Sequence, residues 1–254
     1  MSILMETGAN ANTNGLGSFA TLLYQRGGSF YTGDFSATAL DSETAVETFR
    51  MWTDLYNRGG LPGIFNLANR FRTGESPLVI ADYSLYNTLM VSAPEIRGMW
   101  DMAMVPGTAR EDGTVDYSSY SSSTGVMLLA ASAHKEAAWD FMKWWTGAEA
   151  QIYFGREMES LLGASARYPT ANLEAMGSLA WSARTYRVLS AQGVWAKAVP
   201  EVPGGYYLPR YINNAFRTAT RETNRLDARE AILTYAQVIN DEIQLKREEF
   251  GLNS

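Results

Sequence analysis

Apolar residues recur every three to four positions in several stretches of the chain, and each such stretch predicts a helix with one buried stripe. The clearest begins at Asp41-Ser42, either of which can cap it, with Glu43 in the first turn where a carboxylate favours the helix dipole. Ala45, Phe49, Trp52 and Tyr56 then fall on one face, and Gly59-Gly60 ends the helix. An aromatic stripe at this spacing reads as core packing. Shorter helices are predicted over Phe19 to Gln25, ended by Gly27-Gly28, over Asn66 to Thr73, closed by Gly74, and over Tyr83 to Met90.

Strand signals lie between these helices. Pro77 to Ala81 (PLVIA) is a continuous apolar run and predicts a buried strand. Trp100 to Val105 alternates weakly and predicts a second, closed by Pro106-Gly107, with Thr108 to Asp116 as an exposed turn. Gly125 to Ala131 predicts a third, preceded by the polar, tyrosine-bearing stretch Tyr117 to Thr124 (YSSYSSST). From Ser132 the pattern returns to helix, with Ala137, Ala138, Phe141, Met142, Trp144 and Trp145 on the apolar side. Gly147 interrupts it, and Ala148 to Phe154 continues as helix up to Gly155. Beyond a loop around Pro169, helix is predicted over Ala175 to Ala191, with a weak point at Gly177. After the proline-bounded linker Val199 to Gly205, helix runs from Leu208 to about Glu222 and from about Asp227 to Glu249. In the last of these Ala231, Tyr235, Val238 and Leu245 share a side. Strands separated by helices imply an α/β fold with a helix-rich C-terminal half.

Composition narrows the chemistry. The 254 residues correspond to about 1.7 domains at ordinary domain size. A hydrophobic fraction of 46% against 19% charged residues supports a packed core and excludes wholesale disorder. A net charge of −6 argues against a nucleic-acid partner, which needs a basic face to displace counterions. There is no cysteine and one histidine, His134, so thiolate chemistry, zinc-thiolate sites and multi-histidine metal sites are excluded, and no cofactor is expected. The longest apolar run, Val126 to Ala131, is far short of the ~20 residues of a membrane helix, so no direct membrane span is expected. Fourteen tyrosines, seven tryptophans and ten phenylalanines are enough to build a core, a sugar-binding cleft or a protein interface.

The order of these pieces carries a resemblance. Glu43 to Tyr56 (ETAVETFRMWTDLY) is similar to a helix ending in W-x-x-L. Phe71 to Tyr83 (FRTGESPLVIADY) is similar to an F-x-x-G-x-x-A-M segment, with Pro77-Leu78 where Ala-Met is usual. Trp100 to Gly107 (WDMAMVPG) resembles a strand ending in a proline-glycine turn. Gly125 to Gln151 is the closest match, to a strand, a loop and a helix A-x-x-F-x-x-[FW]-x-x-x-x-E-x-Q. Collinear over residues 6 to 245, these motifs resemble the C-terminal portion of extracellular solute-binding proteins of ABC importers, the family of maltose-binding protein. The resemblance implies periplasmic-binding-protein-like type II lobes, with the N-terminal lobe and export signal of the family largely missing from this chain. Residues 6–130 are then expected to be mainly second-lobe α/β, and 131–254 helical segments spanning both lobes. It further implies a two-lobed binder that closes on a solute, usually a sugar or oligosaccharide, and hands it to ABC permease subunits. The place implied is extracellular or periplasmic, membrane-anchored in the full-length protein. With a first lobe missing, the chain by itself is expected to bind weakly.

Sugar recognition needs exposed aromatic rings beside polar groups, because the aliphatic sugar face stacks while its hydroxyls seek partners. Asp82, Tyr83 and Tyr86 follow the PLVIA strand, and the resemblance places a stacking aromatic at Tyr83 or Tyr86; the alternative is that one of the two packs in the core. Tyr117, Tyr120, Ser121 and Ser122 precede the Gly125 strand and are either ligand contacts or tyrosines covering a polar edge. Tyr206, Tyr207 and Arg210 sit in GGYYLPR, where two glycines free the backbone and arginine supplies donors. Asn12 and Asn14 could bond hydroxyls or belong to an ordinary loop. Lys143 to Trp145 (KWW) could face a partner, but the resemblance puts the tryptophans mainly in the interior. A glycosidase would need two carboxylates across a cleft. The pairs Asp112/Asp116 and Glu157/Glu159 read as solvated turn and helix surface, and His134 as a surface residue, so an enzyme is not expected. A glycoside-processing enzyme and a polysaccharide- or protein-binding module remain the alternatives.

Overall fold

The computed structural model describes residues 3–5, 16–62 and 65–252. Ten helices run α1 (Leu16–Gln25), α2 (Glu43–Asn57), α3 (Leu67–Arg72), α4 (Leu85–Ser92), α5 (Lys135–Thr146), α6 (Ala148–Leu162), α7 (Leu173–Ser178), α8 (Ala183–Gly193), α9 (Leu208–Thr220) and α10 (Ala228–Glu249) among the described residues. Three short strand pairs accompany them: β1 (Ile3–Met5) parallel to β2 (Leu78–Ile80), β3 (Thr108–Ala109) antiparallel to β4 (Val115–Asp116), and β5 (Ser119–Tyr120) parallel to β6 (Ala196–Lys197). The chain divides into two units. The first takes residues 1–80, 104–121 and 192–254; the second takes 81–103 and 122–191.

The first unit is organised by the aromatic stripe of α2. Ser42 caps that helix, its hydroxyl accepting from the Ala45 N–H at 3.3 Å. The Trp52 ring stacks on Phe19 of α1 at 5.6 Å and meets Phe216 of α9 at 4.3 Å, with all three side chains fully buried. α10 closes the core with Ala231, Ile232, Ala236, Ile239 and Ile243. This corrects the side expected from Ala231, Tyr235, Val238 and Leu245: the stripe is rotated, and Leu245 is exposed. The isoleucine face is the one turned to the core, and α10 packs on α9 and α2. Two buried or half-buried glutamines tie the segment 105–119 to this core. Gln25 donates to the carbonyls of Pro106 and Ser118 at 3.1 and 3.0 Å and accepts from the Thr108 hydroxyl at 2.9 Å. Gln192 accepts from the Val105 N–H at 2.9 Å and donates to the Tyr117 carbonyl at 2.9 Å.

The second unit is helical. Gly155 lies inside α6, which continues to Leu162; a helix end at Gly155 is therefore corrected. Its glycine serves packing, because a Cβ there would lie 2.6 Å from a Leu179 methyl. The helix expected over Ala175 to Ala191 is two helices, α7 and α8, parted at Leu179–Ser182. The Ser182 hydroxyl accepts from the Thr185 N–H at 3.0 Å and so starts the second one.

Three strand expectations need correction. Trp100 to Val105 and Gly125 to Ala131 form no strand, since no partner strand lies beside them among the described residues, and a lone strand leaves its backbone groups unpaired. Met127 and Leu129 are exposed. The PLVIA strand exists as β2, paired with β1 alone among the described residues, and its side chains are half-buried or exposed rather than buried. The exposed turn at Thr108 to Asp116 is a hairpin of β3 and β4. On α5 the apolar side is not interior: Trp139, Phe141 and Trp144 are exposed, because α6 is the helix that packs on it among the described residues.

Candidate functional site

In the second unit, the corner that follows β2 gathers rings from distant parts of the chain. Asp82 is exposed and its carboxylate accepts from the Ser84 N–H at 2.8 Å, which turns the backbone into α4. Tyr83 and Tyr86 are half-buried and share one neighbour, Trp181, at 6.1 and 5.5 Å between ring centres. Tyr86 also meets Trp100 at 5.4 Å. The Arg167 guanidinium lies 4.7 Å over the Trp181 ring. It is held there by Glu159, to which it donates twice, at 2.6 and 3.0 Å. Burial pushes the Tyr83 hydroxyl up to about 12, with the neighbouring Asp82 and Tyr168 adding to the effect, so it stays a neutral donor. Two buried polar atoms of this corner, Asn87 Oδ1 and Trp181 Nε1, have no hydrogen-bond partner among the described residues. The arrangement combines half-buried ring surface with one acceptor and one donor lying buried beneath it, a pairing of ring faces and polar groups of the kind a polyhydroxylated ring requires. Nothing in the sequence pattern marks Trp100, Arg167 and Trp181 as site residues, because they stand 17 to 98 positions from Tyr83 and only the fold joins them.

The first unit holds the other candidates in two separate surroundings. Tyr117 faces Trp195 at 5.7 Å. Tyr120 lies in β5 and packs against α1, its N–H donating to the Thr21 hydroxyl at 3.0 Å, and its ring would lie 3.4 Å from a Cβ at Gly17. The Ser121 N–H donates to the Lys197 carbonyl at 2.9 Å and extends the β5–β6 pairing. Tyr206 and Tyr207 begin a row of rings: 4.2 Å apart, then Tyr207 to Tyr211 at 5.7 Å, then Tyr211 to Tyr235 at 6.1 Å. Tyr206 is the most open of the four at 59% exposed, and Arg210 is exposed beside it. Gly204 makes this corner possible. Its φ of +80° is left-handed, and a Cβ there would lie 2.7 Å from the Glu242 carbonyl oxygen. Asn12 and Asn14 lie outside the described residues.

The carboxylate pairs are differently placed from the sequence expectation. Asp116 is buried, not on a solvated turn; burial pushes its carboxyl up, but the Ser118 N–H at 2.7 Å and the Arg110 guanidinium outweigh this and hold it below the usual carboxylate range. Asp112 is exposed and accepts from the N–H and hydroxyl of Thr114. Glu159 is committed to Arg167, while Glu157 is exposed. Neither pair presents two free carboxylates to one space, which is what glycoside hydrolysis needs.

A profile of bacterial extracellular solute-binding proteins matches residues 4–152. Comparison with curated proteins finds no match. Among solved structures, the sugar-binding protein MalE of Xanthomonas citri superposes with a TM-score of 0.73 at 14% identity, covering 100% of this chain and 60% of its own. An ABC transporter solute-binding protein of Thermotoga lettingae TMO bound with α-D-tagatose gives 0.68 at 18% identity, covering 96% and 60%. The cyclic α-maltosyl-1,6-maltose binding protein of Arthrobacter globiformis gives 0.62 at 20% identity, covering 95% and 60%. The chain thus spans about 60% of the length of the structures it matches, and it shares their periplasmic-binding-protein-like fold. With the profile matching more than half of its residues, the chain belongs to the family of bacterial extracellular solute-binding proteins.

Proposed function

We propose that the protein binds a sugar or oligosaccharide for delivery to the permease subunits of an ABC importer, outside the cytoplasmic membrane and anchored to it in the full-length protein. The observation that carries this reading is the corner of Tyr83, Tyr86, Trp100 and Trp181, with Asn87 Oδ1 and Trp181 Nε1 unpaired beside it. Ring faces hold the sugar's apolar side, and the two buried polar atoms become hydroxyl partners only if the corner opens on binding. Tyr117, Tyr120, Ser121, Tyr206, Tyr207 and Arg210 are proposed as sugar-contact candidates of the first unit taken by itself, Asp82 as the residue that fixes the turn at Tyr83, and Asn14 as a further candidate. The similar structures include a sugar-binding protein, a solute-binding protein bound with α-D-tagatose and a cyclic α-maltosyl-1,6-maltose binding protein, and these support the sugar class. No catalytic step is proposed.

Ligand-observed NMR with maltose and maltotriose, set against a dipeptide and putrescine, tests the reading. Saturable binding of a sugar alone is expected at a dissociation constant of about 1 mM, equivalent to ~4 kcal/mol, because few rings contribute. Tyr83→Ala with Tyr86→Ala removes it while the melting temperature is held. Preference for the dipeptide or the polyamine, or turnover of a chromogenic glycoside, would contradict the proposal.

A further inference from the structure

The first unit contains a cavity of about 270 Å³ that the sugar reading does not use. Its walls are mainly rings and short apolar groups (Tyr24, Phe30, Tyr31, Phe35, Ala198 and Pro200), with Ser29 at the edge. Tyr24 is fixed in place because its hydroxyl donates to the Ala198 carbonyl at 3.0 Å. One cation stands at the wall, Lys197, whose ammonium lies 5.8 Å from the centre of the Tyr24 ring. The volume is at the small end for a ligand site and suits one ring.

Phe35 gives the cavity its meaning. Its φ is +57°, the left-handed region that a bulky residue avoids at a cost of roughly 1–2 kcal/mol. The turn that imposes this is densely bonded. The Asp34 carboxylate accepts from the Thr32 hydroxyl at 2.6 Å, from the Ser36 hydroxyl at 2.9 Å and from the Ser36 N–H at 3.1 Å. The Phe35 N–H donates to the Thr32 carbonyl at 3.0 Å. All this rigidity leaves the Phe35 ring 46% exposed at the cavity, so the strain is not offset by burying the ring in the core. A strained, rigidly held side chain standing over a pocket is the geometry of a ligand clamp.

We propose that this cavity is an accessory site for a small monocyclic aromatic carboxylate, its ring held between Phe35 and the Tyr24–Phe30–Tyr31 wall and its carboxylate paired with Lys197. A sugar fits poorly, because Ser29 and Lys197 offer few partners and most hydroxyls around its ring would face apolar walls. The inference stands apart from the sugar reading and from the residues that carry it.

Benzoate, benzyl alcohol and methyl α-glucoside are the probes, followed by ligand-observed NMR on the whole chain. Saturable benzoate binding is expected, with none for the glucoside, and saturating maltose leaves it in place. Lys197→Gln weakens benzoate by roughly tenfold, the loss of a charge-assisted contact, and leaves benzyl alcohol within about twofold. Phe35→Gly abolishes benzoate binding and raises the melting temperature, because it removes the left-handed strain along with the clamp. Absence of saturable benzoate binding, equal loss of both aromatic probes in Lys197→Gln, displacement by maltose, or a melting temperature lowered by Phe35→Gly would each overturn the proposal. The last outcome would mean that the ring serves packing alone.

Discussion

Asp116 shows how a single residue can be misjudged by its sequence neighbourhood. Polar, glycine-containing surroundings predict a solvated turn, yet it is buried and carries the end of the β3–β4 hairpin through Arg110 and the Ser118 N–H. Its carboxyl titrates below the usual range, so its contribution is present above about pH 4 and is lost as pH falls through the lowered value. The folded state binds fewer protons there than the unfolded chain, so stability rises with pH across that window. Asp116→Asn is expected to flatten the acid limb of stability and to cost about 1–3 kcal/mol at pH 7, where an Arg110 partner and a buried N–H lose their acceptor charge. Chemical denaturation at a series of pH values measures both; an unchanged acid limb would remove Asp116 from this role. Gln25 makes the same point without charge: three hydrogen bonds pass through a side chain at a position the helical pattern alone marks only as the end of α1.

At the scale of elements, helices with a capping residue and an apolar stripe are legible, whereas of three expected strands only the PLVIA strand forms, as β2. α2 begins at Ser42 and buries the predicted residues Ala45, Phe49, Trp52 and Tyr56. A helix satisfies its own backbone, so local pattern suffices. A strand needs a neighbour, and Gly125 to Ala131 has none among the described residues, whatever its composition. The entry to α9 combines both cases. In the sequence the pair Gly204-Gly205 signals conformational freedom; the structure adds close approach, with α10 against Gly204 and the Tyr31 hydroxyl 2.8 Å from a Cβ at Gly205. Gly204→Ala is therefore expected to destabilise by about 2–4 kcal/mol, from left-handed strain and overpacking against a backbone carbonyl together. Urea unfolding measures it, and a loss under about 0.5 kcal/mol would mean that α10 yields freely.

For the whole molecule, core strength is unevenly divided. The largest fully buried side chains, Trp52, Phe19, Phe30, Phe49, Phe216 and the leucines and isoleucines with them, all belong to the first unit. Fully burying each such side chain contributes on the order of 1.5–3 kcal/mol. The second unit buries smaller groups such as Ala93, Ala150, Ala175 and Leu179, and leaves Trp139, Phe141 and Trp144 exposed. Hydrogen exchange is expected to reach its slowest amides in α1, α2, α9 and α10, with α5 and α7 exchanging faster. Slowest exchange in α5 would show that its apolar side is covered in solution.

Much of the candidate site was visible at the level of residue type. Tyrosines beside polar residues, at the end of an apolar run and after a glycine pair, marked Tyr83, Tyr86, Tyr206 and Tyr207 as places to look. What those rings touch was not visible. The partners of Tyr86 are Trp100 and Trp181, and the partner of Trp181 is an arginine fixed by Glu159. By itself the sequence determined the periodic helices, their caps, the exclusion of thiolate and multi-histidine chemistry, and the order of motifs that matches a family. Those depend on interactions within a few residues or on composition. Tertiary structure alone decided which face of α10 is buried, which carboxylates are already paired, and which rings form one surface. Those outcomes depend on contacts between residues far apart in the chain, and side chains compete for such contacts by fit and by desolvation rather than by spacing.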